Sequence, residues 1–284
     1  MKGDEGMRRI VVASACLIAL SLGAAQARAG KDDVQPVTWH DYFYVNIRSL
    51  DPATCGDTAS SKFQANVFEG LYSYHYLKRP PTLVPLLAAE MPRVSEDGLT
   101  YTIKLKGGVK FARNGCFGRD ASGKLNTRTV TAADFVYAFK RIKDSHLRRG
   151  MVDAFLADRI VGAAEYRKKT GRYAEGDFRR YDLDIPGLKA VDELTLRIRL
   201  NRPWSQMTHI LAMHSVAPIP HEAVDYWLAG AGTAGGGRTV PVSKREAAFT
   251  RPEQLVGTGP YLWDKYEPRA QVRFVGNPDF RKRL

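Results

Sequence analysis

Residues 95–106 read Ser95-Glu96-Asp97-Gly98-Leu99-Thr100-Tyr101-Thr102-Ile103-Lys104-Leu105-Lys106. Asp97-Gly98 is a turn signal between two apolar runs. Beyond it Tyr101, Ile103 and Leu105 alternate with Thr102, Lys104 and Lys106, the period-two pattern of a strand with one buried face. Gly107-Gly108 ends that strand, and Val109-Lys110-Phe111 resumes the alternation. Further on, Thr131-Ala132-Ala133-Asp134 predicts a helix N-terminus, with the Thr131 hydroxyl and the Asp134 carboxylate covering orphan N–H groups. Phe135, Phe139 and Ile142 then fall at i, i+4 and i+7 and give that helix one apolar face. Strand, loop and helix in this order predict an α/β protein.

The 284 residues carry a net charge of +13, with 44% hydrophobic and 26% charged side chains, which suits a globular protein with a sizeable core. Arg148-Arg149, Arg167-Lys168-Lys169 and Arg179-Arg180 are separate short clusters without interleaved aromatics. They read as solvated faces rather than a nucleic-acid surface. At the N-terminus, Arg8-Arg9 precede an apolar run from Ile10 to Leu22 that is too short to span a bilayer comfortably. Ala27-Arg28-Ala29 fits a small-x-small cleavage pattern, so residues 1–29 read as a cleavable signal peptide, with Met7 as an alternative start. Cys16 lies inside the apolar run, which argues against a lipid anchor. An exported chain that keeps two cysteines, Cys55 and Cys116, predicts a disulfide between them; two free buried thiols are the alternative.

Outward from the opening stretch, Tyr42 to Ile47 alternates as a half-buried strand. Asp57 or Thr58 caps a helix carrying Phe63, Val67 and Leu71, which Gly70 or the turn after it ends. Pro80-Pro81 force an extended path before a short helix within residues 83–90. Residues 115–128, rich in Gly and Asn, predict an exposed excursion with Cys116 at its base. Residues 171–181 are charged and loop-like. Leu194, Leu196, Ile198 and Leu200 alternate with Thr195, Arg197 and Arg199, the clearest amphipathic strand of the chain. Pro203 to Met213 reads as a helix. His209, Met213, His214 and His221 form a tempting set for copper or nickel, but no carboxylate completes it, and core or surface placement is preferred. Residues 229–237 are a Gly/Ala loop without the Lys-Ser/Thr of a phosphate-binding loop, and no G-x-S-x-G, H-E-x-x-H or Walker pattern occurs.

Taken together the motifs resemble the extracytoplasmic solute-binding proteins of peptide ABC transporters, the oligopeptide, dipeptide and nickel family. The resemblance is carried by Ser49 to Ala53, Asp57 to Ser61, Glu69-Gly70-Leu71, Ser95 to Thr102, Gly108 to Phe111 and Val130 to Tyr137. It continues through Ile160 to Tyr166, Gly187 to Leu200, Ala217 to Pro220, Val256-Gly257-Thr258-Gly259-Pro260-Tyr261 and Asn277-Pro278-Asp279-Phe280. It covers Tyr42 to Phe280. It implies a mixed α/β, periplasmic binding protein-like lobe in which residues 30–58 and 186–284 form the main part and 59–185 a smaller inserted domain. Members close two lobes around a ligand by a hinge motion, and the resemblance implies that this sequence holds one lobe with the second missing.

The implied function is not enzymatic: a periplasmic monomer, peripheral to the membrane, binds a peptide or peptide-like solute and delivers it to ABC transporter permease subunits. No cofactor, metal or nucleic acid is implied. Ligands of this family pair their main chain with strand edges, which points to Asn46, Ile47 and Arg48, and to Thr258 with Gly259. Arg48 could meet a carboxylate bidentately, or be a solvated strand residue. A degenerate single-lobe scaffold module of the envelope, a nickel- or copper-binding variant and a secreted hydrolase using His209 or His221 as base are the other readings.

Overall fold

The alternation on either side of Asp97 builds the central sheet of the protein, whose computed structural model describes residues 46–229, 241–268 and 270–281. Strand β3 (Arg93–Val94) turns at Asp97-Gly98 into β4 (Thr100–Lys104). The Asp97 carboxylate holds the turn by accepting the Leu99 N–H at 3.0 Å. β4 pairs antiparallel with β6 (Thr195–Arg199), Tyr101 opposite Ile198 and Ile103 opposite Leu196, and β5 (Leu188–Asp192) lies on the other side of β6. The sheet order is β3-β4-β6-β5. Tyr101, Ile103, Leu196 and Ile198 are buried as their period predicts. Two strands of this sheet precede residue 185 and two follow it.

Helix α2 (Ala132–Ile142) crosses β5 and β6 and buries Phe135, Phe139 and Ile142. Its N-terminus carries the expected capping box of Thr131 and Asp134. The Asp134 carboxylate accepts both the Thr131 N–H (2.8 Å) and the Thr131 hydroxyl (3.1 Å), so the acid is the main cap and the hydroxyl is a donor. Arg128 grips the same carboxylate with two N–H groups at 2.7 and 2.9 Å, because an acceptor-only group has capacity left.

Helix α1 (Thr58–Gln64) starts where Asp57 takes the Ser60 N–H at 2.8 Å, but it stops well before Gly70. Val67 and Leu71 are buried without being helical. The chain here runs against another backbone: Leu71 N–H donates to Leu211 O at 2.9 Å, and a Cβ at Gly70 would sit 2.9 Å from that same oxygen. Long-range backbone pairing therefore replaces the last helical turns.

β1 (Tyr72–Tyr74) and β2 (Leu83–Pro85) form an antiparallel pair, and no helix follows within 83–90. That segment instead stays extended against the end of β4, with Ala89 N–H on Lys104 O and Lys106 N–H on Leu87 O. α3 (Met151–Leu156) and α4 (Ala163–Thr170) follow. The helix expected from Pro203 to Met213 is only the short α5 (Met207–Ile210), succeeded by a 3₁₀ turn at His214–Val216 and then α6 (His221–Trp227). The hairpin β7 (Tyr261–Glu267) and β8 (Gln271–Gly276) packs Trp263 and Phe274 around Phe63, both ring centroids 6.2 Å away. One hydrophobic cluster runs from Leu50 to Trp263 through all of these elements.

Two expectations are corrected by what the interior contains. Arg180, expected on a solvated face, is fully buried in a 3₁₀ turn (Phe178–Asp182) and pairs with buried Asp144 at 2.7 Å. Its neighbour Arg179 is exposed, as expected. Lys143 and Asp153 form a second buried pair at 2.6 Å, and burial pulls the Lys143 ammonium below the usual lysine range against the opposing pull of that carboxylate. The disulfide is the second expectation corrected: Cys55 and Cys116 are both free. Cys55 is buried next to the Ser215 hydroxyl, whereas Cys116 sits at the base of the 115–128 excursion near Glu222 and Arg128. That excursion is exposed over residues 118–124, as expected. The signal peptide, Cys16, residues 42–45 of the first expected strand and most of the Gly/Ala loop lie outside the described residues.

Candidate binding cleft

Asp51, in the Ser49-Leu50-Asp51-Pro52-Ala53 motif, organises the site. Its Oδ1 accepts the Ala53 N–H at 3.0 Å and caps a 3₁₀ turn, Pro52–Thr54. Its Oδ2 accepts the Phe249 N–H at 3.0 Å and the guanidinium of Arg141 from α2. Arg141 also donates to Ala247 O at 3.3 Å and lies 4.8 Å from the centre of the Phe249 ring. One buried carboxylate thus ties together three segments distant in sequence.

A cleft of about 360 Å³ opens between them, walled by Ile47–Leu50, His146–Arg148 and Ala247–Thr250. Residues 46–49 are not a strand here. The N–H groups of Arg48 and Ser49 both donate to Ser60 Oγ at 3.0 Å, and Gln64 Nε2 donates to Ser49 O at 2.9 Å. Helix α1 therefore fixes this wall through side chains, which removes the alternating ladder a strand would need. Of the residues expected to face a ligand, Ile47 and Arg48 line the cleft, while Asn46 is exposed beside them.

Thr258 and Gly259 do not line it. Thr258 is buried, and its hydroxyl donates to Glu69 Oε2 at 3.0 Å, the carboxylate that Arg281 grips from the other side at 2.7 Å. Gly259 donates its N–H to Val67 O at 2.8 Å and accepts from Asn277 Nδ2 at 2.9 Å. A Cβ at Gly257 would come within 2.0 Å of Val67 O, and one at Gly259 within 2.5 Å of Asn66 O. The glycines of this motif are required by backbone-to-backbone approach.

Sequence reasoning missed His146, Arg148 and Phe249, which lie in loops without periodicity. His146 Nε2 is 3.2 Å from Thr170 O, so that nitrogen carries the proton, and Arg148 donates to Thr54 O at 3.3 Å. A larger cavity of about 580 Å³ lies between α2 and β5, lined by Val136, Tyr137, Lys140 and Ile185, but none of the expected ligand residues reaches it. The other histidines are dispersed: His209 Nδ1 meets Tyr74 Oη at 2.9 Å, and His221 pairs with Glu222 at 3.3 Å. Burial drives His214 down to about 4. Among the described residues no group of three or more His, Cys, Asp or Glu is placed to hold a metal ion, and no helix is long and apolar enough to cross a membrane.

Residues 82–284, more than half of the chain, match the family described as bacterial extracellular solute-binding proteins, family 5 Middle. The chain belongs to this family. Among similar proteins, the oligopeptide-binding protein AliA of Streptococcus pneumoniae is 26% identical over 97% of this chain and 36% of its own length. Di/tripeptide-binding protein 4 of Pseudomonas aeruginosa is 32% identical over 71% of this chain and 31% of its own. The solved structure of the pheromone receptor PrgZ superposes with a TM-score of 0.59 at 26% identity, covering 83% of this chain and 38% of that one. The chain therefore spans about a third of the length of the relatives it matches, and the mixed α/β fold is that of part of a peptide-binding protein of this family.

Proposed function

We propose that this chain is, or forms part of, the substrate-binding component of an ABC importer for peptides or peptide-like solutes. It acts outside the cytoplasmic membrane, as a monomer, by passive capture and delivery to permease subunits. The observation that supports this most directly is the cleft at Ile47–Leu50: the Ser-Leu-Asp-Pro motif through which the chain resembles peptide-binding proteins forms one wall of a concave site. The names of the relatives, which bind oligopeptides or di- and tripeptides, point the same way. In this reading Ile47 and Arg48 contact the ligand with Asn46 at the mouth, while Thr258 and Gly259 act by holding Glu69 and Val67 in place. Capture needs no bond making, so no residue is assigned a catalytic role. The division into residues 30–58 with 186–284 and an inserted 59–185 belongs to the same proposal, and limited proteolysis tests it. Calorimetry against a mixed tri- to pentapeptide library tests the binding itself. Weak binding of the library, reduced by Ile47→Asp, is the expected result, since the chain supplies only part of the contacts its relatives make; indifference to every peptide even at millimolar concentration would sink the reading.

A further inference from the structure

We propose that the cleft selects anionic ligands, holding a carboxylate with Arg48 and Arg148 while an adjoining apolar group rests against Leu50 and Phe249. This rests on the peptide-binding reading above and adds the chemical class of the ligand.

The first observation is how the guanidinium groups are used. Arg113 pairs with Asp279 at 2.8 Å, Arg128 with Asp134 and Glu222 at 2.7 and 2.6 Å, Arg180 with Asp144 at 2.7 Å and Arg281 with Glu69 at 2.7 Å. Arg48 and Arg148, like the exposed Arg119, Arg172, Arg197 and Arg202, are not used in this way, but these two line a concavity. Among the described residues neither meets a carboxylate; the Arg148 guanidinium reaches only the Thr54 carbonyl at 3.3 Å. Both are exposed and both line the same concavity. One acid, Glu175, lines it too, so the fixed charge of the walls remains positive. A concave wall of one net sign concentrates the field and raises the local concentration of counter-charge.

The second observation is preorganisation. The Arg48 backbone is pinned to Ser60, and Arg148 to the capped turn that Asp51 holds. An arginine held at its backbone, as Arg48 is, or by one N–H of its fork, as Arg148 is, loses less freedom when that fork meets a carboxylate. The third is size. At about 360 Å³ the cleft is at the small end of ligand sites, which suits one end of a peptide or one acidic side chain rather than a whole ligand. Its apolar floor, with Leu50, Leu147 and Phe249, fits the hydrocarbon part of that end.

A carboxylate can come from a C-terminus or from a side chain, and four probes separate the two: Ala-Ala-Glu as free acid, Ala-Ala-Glu amide, Ala-Ala-Ala amide and Ala-Ala-Lys amide. Ligand-observed NMR titrations of the full 284-residue chain read affinities into the millimolar range. The carboxylate-bearing probes should bind about tenfold or more tighter than the Ala-Ala-Ala amide. A gain with the Glu amide assigns the side chain; a gain confined to the free acid assigns the C-terminus. Arg48→Gln and Arg148→Gln, checked by thermal melting, should each remove most of that preference, and Arg48→Lys should keep part of it. Equal affinity for all four probes, or variants that leave the preference intact, would overturn the anionic selection alone. No binding of any probe would bring down the peptide-binding reading and this inference together.

Discussion

Asp51 and Arg141, 90 positions apart, form an ion pair that is cut off from solvent, with side chains 1% and 0% exposed. Among the described residues the other two Arg141 nitrogens have no hydrogen-bond partner, and the Phe249 ring covers its face. Removing one member leaves an uncompensated charge in the interior, which costs about 3–5 kcal/mol. Asp51→Ala and Arg141→Ala should each lower the stability read from urea denaturation by that order. The joint replacement Asp51→Leu with Arg141→Met should cost less than the sum of the two alanine changes, because no charge is stranded. Additive losses would show that the pair is not energetically coupled.

The cap of α2 gives a second prediction. Since the Asp134 carboxylate takes the Thr131 N–H and Oγ1–H and both Arg128 contacts, Asp134→Ala removes all of them. It should destabilise by about 2 kcal/mol or more, whereas Thr131→Ala keeps the N–H bond and should cost about 0.5–1 kcal/mol. The order of the two denaturation midpoints decides it; a larger loss for Thr131→Ala would return the cap to the hydroxyl.

The thiols should behave as free and sluggish. Burial pushes the Cys116 thiol up to about 12 and raises Cys55 as well. The reactive species is the thiolate, so iodoacetamide at pH 8 should label folded Cys116 about a thousandfold more slowly than in denaturant. After unfolding without reductant, both cysteines should take the label. A Cys55–Cys116 peptide seen by non-reducing mass spectrometry would contradict the structure.

His214 makes stability fall on acidification. Its folded pKa, about 4, is below the unfolded value of roughly 6.5, so the unfolded chain takes up the proton first. The neutral imidazole contributes fully above about pH 6.5, and that contribution drains away as pH falls from there towards 4. Denaturation midpoints measured at pH 7.5 and pH 5 should separate more for the native chain than for His214→Asn. Equal separation would mean that other groups carry the slope.

What the sequence disclosed were features that one element carries by itself. β4, β6 and α2 each bury a single periodic face, and Asp57 and Asp97 hold turns within a few residues of themselves. The errors come from partners far along the chain. Val67 and Leu71 keep helical spacing, but a backbone at Leu211 claims them. Arg180 reads as a surface cation because its partner, Asp144, is 36 positions away. Ile47 and Arg48 could be placed at the cleft through a motif beside them, whereas Phe249 arrives there through Asp51, His146 through Thr170 and Arg148 through Thr54, all partners far along the chain. Long-range carboxylate contacts leave no local pattern to read.

The stretch from Ala65 to Gly70 is docked at both of its ends. Asn66 and Val67 offer their carbonyls to the N–H groups of Tyr261 and Gly259, and just beyond them Gly70 and Leu71 lie against Leu211. The two attachments are only a few residues apart, with no slack loop between them. Side chains here can be exchanged for others of similar volume, but a single inserted or deleted residue would put one attachment out of step with the other. This short run acts as a ruler for the protein: it tolerates changes of letter and forbids changes of length.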